Sequence, residues 1–428
     1  MNLNQNGAFR SVPKTGVIYV TSEAAKLGFF RSPQEWCNLG QGMPECGELA
    51  AAPPRIQKIE FDVSQNEYSP VQGITELRVA VADYYNRTYR KGRSSLYGPE
   101  NVAISSGGRT ALTRLAASLG NIHLGHFLPD YTAYEELLDI FKLFTPIPIA
   151  LDPASGFRIS PKELEKEILG KGLSALLFSN PCNPSGQLIG QSELPEWISL
   201  SRKLDCTLLI DEFYSHYIWN GHRPTVSAAE FIENVEDDNV VFIDGLTKNW
   251  RYAGWRIAWT VGPKRVIESL SSAGSFLDGG APRPLQQAAI QLLEDQNVTL
   301  ETNAIQAEFR RKKEYLSHAI SQLGLDLHCE PDGTFYLFAK LDNLPEGLQD
   351  GMSFFRHLLG HKVICVPGEF FDVNPGKRRR AANSRFTHSV RLSFGPTIET
   401  LKEGVSRIQN AIATFRTPQS ESRKLRVL

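Results

Sequence analysis

A mostly parallel, doubly wound α/β sheet with a smaller α+β unit attached is the fold this sequence predicts, and three observations predict it. Between about residues 98 and 262, short apolar runs alternate with amphipathic stretches. The runs are apolar throughout rather than at every second position, as strands covered on both faces must be. Beyond about residue 300 that rhythm gives way to long amphipathic helices and strand-like segments.

Taken in order, the runs lie at 101–104, 175–178, 207–210 and 240–243, and Phe127 and Leu128 close a further strand. Between the runs, Leu194, Trp197, Ile198, Ser201 and Leu204 recur at helical spacing. Strand, helix, strand in that order argues for parallel pairing through crossover helices. Further on, Ile305, Phe309, Leu316, Ile320 and Leu323 suit one face of a long helix. The segments 334–338 and 389–394 read as antiparallel strands. Ile398, Leu401, Val405, Ile408, Ile412 and Phe415 form a clean three-four stripe. The polar, basic end at 417–428 is expected to fray.

Bulk properties narrow the function. A chain of 428 residues has room for two cores. Its net charge of −1 offers no broad basic field for nucleic acid or an anionic membrane, so the expected partner is a small molecule. No apolar stretch approaches the ~20 residues that span a bilayer, and the first residues hold no apolar signal core. Six cysteines, at 37, 46, 182, 206, 329 and 365, form no C-x-x-C pair. They read as free thiols in a reducing cytoplasm. His357 and His361 are four apart, but Leu358 stands where a zinc protease has its glutamate, so no metal is expected.

In a doubly wound sheet, ligands bind outside the carboxyl ends of the strands. Gly107, Gly108 and Arg109 follow the first run, a glycine turn opening a helix, whose amides suit a phosphate. Tyr131 follows Leu128 and can stack on a planar ligand. The string 179–186 holds two Asn-Pro pairs and a glycine, a turn that fixes the Asn183 amide. Asp211 sits directly behind a buried run, where a carboxylate needs a cationic partner, and Tyr214 adds a phenol. Lys248 follows the run at 240–243, with Arg256 eight residues on. Each of these has a bland reading: a tight turn, a core aromatic, a helix-capping Asp, a solvated lysine. Together they supply an amine for a carbonyl, a carboxylate for a cationic ring nitrogen, and a phenol and amide for a ring oxygen. An aromatic face and a phosphate cradle complete an inventory that fits pyridoxal 5'-phosphate.

With those residues in hand, the sequence resembles the fold-type I pyridoxal-phosphate enzymes, specifically the class I/II aminotransferases of the aspartate aminotransferase-like superfamily. The likeness runs from about Gly16 to Phe415. Thr247, Lys248, Gly254 and Arg256 resemble the family's lysine string, which implies that Lys248 forms the Schiff base and Arg256 binds the phosphate. The resemblance likewise implies Asp211 on the pyridine nitrogen, Tyr214 and Asn183 on the ring hydroxyl, Tyr131 stacked on the ring, and Gly107, Gly108 and Arg109 around the phosphate. Gly42 resembles the glycine whose backbone lines the carboxylate site, and Arg391 the arginine that clamps the substrate α-carboxylate. Tyr68 resembles the tyrosine that reaches the partner subunit's phosphate, which implies a homodimer with shared active sites. The family often has a serine three residues before the lysine; here it is Gly245, and Arg109 is expected to compensate with added charge.

The resemblance also implies a seven-stranded sheet in the large domain and a small domain built from both chain ends. The expected divisions are 1–60 (arm and part of the small domain), 61–300, 301–416 and the tail. The implied reaction is transamination between an L-amino acid and a 2-oxo acid. β-Elimination, decarboxylation and amino-acid oxidation run on the same scaffold and stay open at this point. A non-catalytic regulator is disfavoured, because no appended DNA-binding head is expected in the short N-terminal segment. The side chain of the substrate is not specified. Arg283 is a candidate for a second carboxylate, Tyr19, Phe29 and Phe30 for an apolar pocket, and the basic run at 377–380 for a phosphate.

Overall fold

The computed structural model describes residues 12–14, 16–220 and 223–415, so the tail expected at 417–428 lies outside the described residues. In chain order the strands are β1 (Cys37–Asn38), β2 (Val102–Ser105), β3 (His123–Leu128), β4 (Thr145–Ala150), β5 (Ala175–Ser179), β6 (Thr207–Asp211) and β7 (Val240–Gly245). There follow β8 (Ala258–Val261), β9 (Asp326–Leu327), β10 (Tyr336–Lys340), β11 (Val363–Ile364), β12 (Val366–Pro367) and β13 (Ser389–Ser393).

Seven of them form one sheet in the order β2-β8-β7-β6-β5-β3-β4. Successive strand residues point to opposite faces, and here the two faces feed two different cores. Leu177, Leu209, Val241 and Ile243 enter one core. Leu176, Phe178, Leu208, Ile210 and Phe242 enter the other. In the second core Trp197, from the helix Leu194–Leu204, packs on Phe127 at 5.9 Å and on Phe178 at 5.4 Å. Burial on both faces explains why these strands lack alternation, each large apolar side chain contributing about 1.5–3 kcal/mol.

One strand departs from the parallel pattern. β8 lies antiparallel to both β7 and β2. Its connection from β7 holds only the short turn Ala253–Trp255 and no crossover helix, so parallel pairing is out of reach. Because β2 and β7 each oppose β8, they run the same way, and the carboxyl ends of β2, β3, β5, β6 and β7 open on one edge.

A second sheet, β12-β13-β10-β9, is antiparallel. β10 starts two residues later than the sequence suggests, because Thr334 has φ 67 and its Oγ1 accepts the amide of Tyr336 at 3.2 Å. β1 pairs with β11 in parallel, so residues from the N-terminal stretch join the C-terminal unit. The long helix Asp295–Gln322 runs across residue 300.

The stretch after β1 is pinned to the far side of the turn that carries Lys248. Arg251, fully buried, donates to the carbonyls of Glu45 (3.1 Å) and Gly47 (2.6 Å) and pairs with Glu301 at 2.6 Å. Arg55 donates to the Arg251 carbonyl at 2.9 Å and reaches the same Glu301 at 3.4 Å. Buried Lys312 pairs with Glu45. Glu301 thus pairs with two neighbouring guanidinium groups in a water-poor place. Breaking one side of such a pair costs far more than the pair contributes, because the remaining charge stays buried. Glu301→Ala is therefore expected to destabilise the protein by roughly 3–5 kcal/mol, read as a fall in the denaturation midpoint. A change below about 1 kcal/mol, the value of a solvated pair, would count against this account.

Candidate active site

Lys248 lies on the turn after β7. Leu246 donates to the Ile257 carbonyl (3.0 Å), Tyr252 to that of Leu246 (2.9 Å) and Arg251 to that of Lys248 (3.0 Å), which closes the turn. The side chain projects into a cavity of about 740 Å³, where Nζ donates to the Gly42 carbonyl. Burial lowers the amine pKa to about 7, helped by the Arg256 and Arg391 guanidinium groups and opposed by Asp211. A lysine in that state is largely a free amine at mildly basic pH.

Asp211 ends β6. Its Oδ2 accepts from the Tyr134 hydroxyl at 3.1 Å and its Oδ1 from the Phe213 amide at 3.3 Å. Burial lifts its pKa to about 6, while those hydrogen bonds and the Lys248 charge pull it down. Three residues on, the Tyr214 hydroxyl shares a hydrogen bond with the Tyr336 hydroxyl at 2.9 Å. Burial holds the Tyr214 pKa well above the usual phenol value, so it stays a neutral donor.

After β5, the Asn180–Pro181 bond is cis, and the Asn183 backbone N–H donates to Ser179 Oγ at 3.1 Å. Arg391, from the middle of β13, donates to Asn183 Oδ1 at 2.8 Å and to the Gly40 carbonyl at 2.9 Å. Since a guanidinium only donates, Asn183 must turn its oxygen to Arg391, which leaves Nδ2 as a donor. The Arg391 guanidinium rests 4.0 Å above the Tyr336 ring.

At the end of β2, Gly107 has φ 86 and caps the helix Gly108–Ser118. A Cβ on Gly107 would collide with the Arg256 guanidinium, and one on Gly108 with the Phe213 ring. Both positions need glycine, so backbone amides and a guanidinium come together. Arg109 reaches the Tyr131 hydroxyl and lies near enough to Arg256 for the two charges to repel. Among the described residues, Thr247 Oγ1 and Arg391 Nε are buried with no hydrogen-bond partner, as expected of polar atoms that await a ligand.

Except for Gly107 and Tyr68, the residues expected to hold the cofactor and the substrate α-carboxylate all line this one cavity. Gly107 stands directly behind it, against Arg256. Tyr68 does not line it and is 97% exposed. The departure at Gly245 has a steric cause. A side chain there would sit 2.6 Å from the Ala258 Cα and the Ile257 carbonyl of the adjoining strand, so no serine fits. Tyr134, Tyr336 and the Gly40 carbonyl were not singled out in the sequence. Tyr134 adjoins the Tyr131 string and offered a cue, whereas Tyr336 looks like any aromatic in an apolar strand.

Three candidates for the substrate side chain fall elsewhere. Arg283 pairs with Glu67 at 3.4 Å. Tyr19 packs on Phe370 (5.3 Å), and Phe29 on Phe30 (5.1 Å) and Trp36 (5.8 Å). In the basic run, Lys377 pairs with Glu135 and Glu136, and Arg379 with Asp372 at 2.5 Å. The larger aliphatic residues and the methionine that do line the cavity are Val12, Val17, Ile18, Met43 and Leu112.

Known proteins resemble the chain over most of its length. The family model described as aminotransferase class I and II matches residues 34–408. The aspartate aminotransferase of Sulfurisphaera tokodaii is 25% identical over 396 residues, covering 89% of this chain and 91% of that protein. The probable aspartate/prephenate aminotransferase of Aquifex aeolicus is 25% identical over 353 residues, covering 81% and 84%. Among solved structures, the Thermus thermophilus aspartate aminotransferase with maleate aligns with a TM-score of 0.77 at 22% identity, covering 94% of this chain and 100% of that one. That of Thermotoga maritima aligns at 0.74 and 23%, covering 94% and 98%.

The depressed Lys248 pKa can be read in the cofactor-free protein. Trace acetylation followed by peptide mapping should show Lys248 reactivity rising with a midpoint near pH 7, below that of ordinary lysines at about 10.4. A midpoint at the ordinary value would contradict the burial argument.

Proposed function

The chain belongs to the class I and II aminotransferase family, which depends on pyridoxal 5'-phosphate, and we propose that it transaminates between an L-amino acid and a 2-oxo acid in the cavity around Lys248. One observation carries the reading. The Lys248 amine, held near neutrality, shares that cavity with a carboxylate, a neutral phenol, an open amide donor and three guanidinium groups. The donor set fits the cofactor. Gly107, Gly108, Arg109, Arg256 and the unpartnered Thr247 hydroxyl would hold the phosphate. Lys248 would hold the cofactor covalently, Tyr131 would cover the ring, and Asn183 and Tyr214 would donate to its oxygen.

When bound, the cofactor supplies an electron-withdrawing ring conjugated with the substrate α-carbon. Asp211 keeps a proton on the ring nitrogen; its partners Tyr134 and Phe213 limit how far burial can raise its pKa. Arg391 orients the α-carboxylate, with its unpartnered Nε as a further donor. Lys248 Nζ, with a pKa of about 7, is matched to moving the α-proton at neutral pH. Arg109 supplies positive charge that no residue at 245 can assist with a hydroxyl. Gly42 and Gly40 contribute backbone carbonyls that set Lys248 and Arg391 in place.

The same reading extends to the assembly. Tyr68, 97% exposed together with Val63 (84%) and Phe276 (73%), would reach the phosphate of a second copy, making a homodimer with shared sites. The large cofactor-binding domain would span 61–300 and the smaller one 301–416 with part of 1–60. The cytoplasm is the proposed compartment, supported by the free cysteines. Among the described residues, no helix is long and apolar enough to cross a membrane.

The test is a screen of amino donors against 2-oxoglutarate and pyruvate, with cofactor absorbance followed and the oligomer sized in parallel. Keto-acid exchange is expected, with Lys248→Ala reducing it to background and Arg109→Ala weakening cofactor retention. Transamination that survives Lys248→Ala, or ammonia release without an acceptor, would refute the assignment.

A further inference from the structure

The amine and its two partners sit on different turns. Asp211 and Tyr214 follow β6, and Lys248 follows β7. The ladder between those strands ends at the pair Asp211 and Ile243. One more backbone bond, Glu212 N to the Ile243 carbonyl at 2.8 Å, extends it by a step. Past that point the relative position of the two turns has to come from side chains.

Asn249 supplies it. The residue is fully buried beside Lys248. Its Nδ2 donates to Asp244 Oδ1 at 2.7 Å and to Ser215 Oγ at 2.9 Å, with the Glu212 carbonyl at 3.3 Å. Its Oδ1 accepts the His216 amide at 3.1 Å. The orientation of the amide is fixed by chemistry. The His216 N–H only donates, and Asp244 Oδ1 already accepts the Gly245 amide at 2.6 Å, so Asn249 must turn its oxygen to the first and its nitrogen to the second. A second bond joins the same two turns, from the Tyr217 hydroxyl to the Lys248 carbonyl at 3.0 Å. The Tyr217 ring is itself set edge-on to Phe309 at 5.1 Å and Phe335 at 5.0 Å.

We propose that Asn249, with Tyr217, forms a buried clamp that positions Lys248 against Asp211 and Tyr214. Neither residue lines the cavity, so the clamp acts through the backbone of the lysine turn and not by touching a ligand. The inference rests on the assignment of Lys248 given above. Its physical content is that Nζ sits at the end of a flexible four-carbon stem, so where it can reach depends on where the fold places the stem's root. A displacement of the order of 1 Å at that root is enough to cost about 100-fold in rate.

Asn249→Ala removes the bridge, and Tyr217→Phe removes one hydroxyl while keeping the ring. Each variant is compared with the wild type in three measurements: kcat against donor KM, equilibrium affinity for pyridoxal 5'-phosphate, and the rate at which the cofactor-free protein captures it, followed by absorbance. The expected result is a kcat lower by about 100-fold for Asn249→Ala and about 10-fold for Tyr217→Phe, with KM and cofactor affinity within about threefold. The capture rate should fall in parallel with kcat. If Asn249→Ala does not fold, Tyr217→Phe decides alone. Folded variants that keep wild-type kcat and capture rate would overturn the clamp, and so would a loss confined to KM or thermal stability. Failure of the wild type to capture the cofactor at Lys248 would overturn the assignment itself, and the clamp with it.

Discussion

A lysine amine removed from water among guanidinium groups is the constraint on which the site depends. Arg256, Arg391 and Arg109 all act on Lys248, and Asp211 is the opposing charge. At an effective dielectric near 20, like charges 4 Å apart repel by about 4 kcal/mol. The lysine is the one cation of the set that can shed its proton easily, since arginine stays charged in proteins. Proton loss from Lys248 therefore follows from burial and from its neighbours without any special device. The guanidinium groups that remain need anions. A phosphate beside Arg109 and Arg256 and a carboxylate beside Arg391 would satisfy that need.

Such a cavity requires that distant segments be brought to one edge with little freedom. The parallel sheet does this by aligning the carboxyl ends of β2, β3, β5, β6 and β7. β13 brings Arg391 from the second sheet, and Asn183 links it to the turn after β5. On the opposite flank, Arg251, Arg55 and Glu301 fasten the stretch that carries Gly40 and Gly42 to the turn of Lys248. Glycine at 245 belongs to the same economy of space. β7 and β8 approach too closely there for a side chain, so residue 245 offers no hydroxyl, and Arg109 and Arg256 are the charged side chains that would contact a phosphate.

Much of this was legible in the sequence because the strands are buried on both faces. Their continuous apolar runs mark the strand ends, and the strand ends mark Asp211, Asn183 and Lys248. What stayed hidden needed three-dimensional context. β8 is four residues long and reads like its neighbours, and the cue to its reversal is a missing helix rather than anything in its own composition. Tyr336 and Tyr134 are core aromatics by pattern, and only their hydroxyl partners distinguish them. Tyr19 and Phe29 looked like pocket aromatics but pack among other rings, and Phe30 is exposed, because aromatic content alone does not say where a side chain is buried. Asn249 sits beside the most informative residue of the chain, yet its role depends on partners more than 30 positions away.

On the proposed reading, the amine of Lys248 would hold the cofactor. Borohydride reduction of the protein loaded with pyridoxal 5'-phosphate, followed by digestion and mass spectrometry of the peptides, tests it directly. A single stable phosphopyridoxyl adduct on Lys248 is the expected result. An adduct on another lysine, or none on a protein that nonetheless exchanges amino and keto acids, would contradict it.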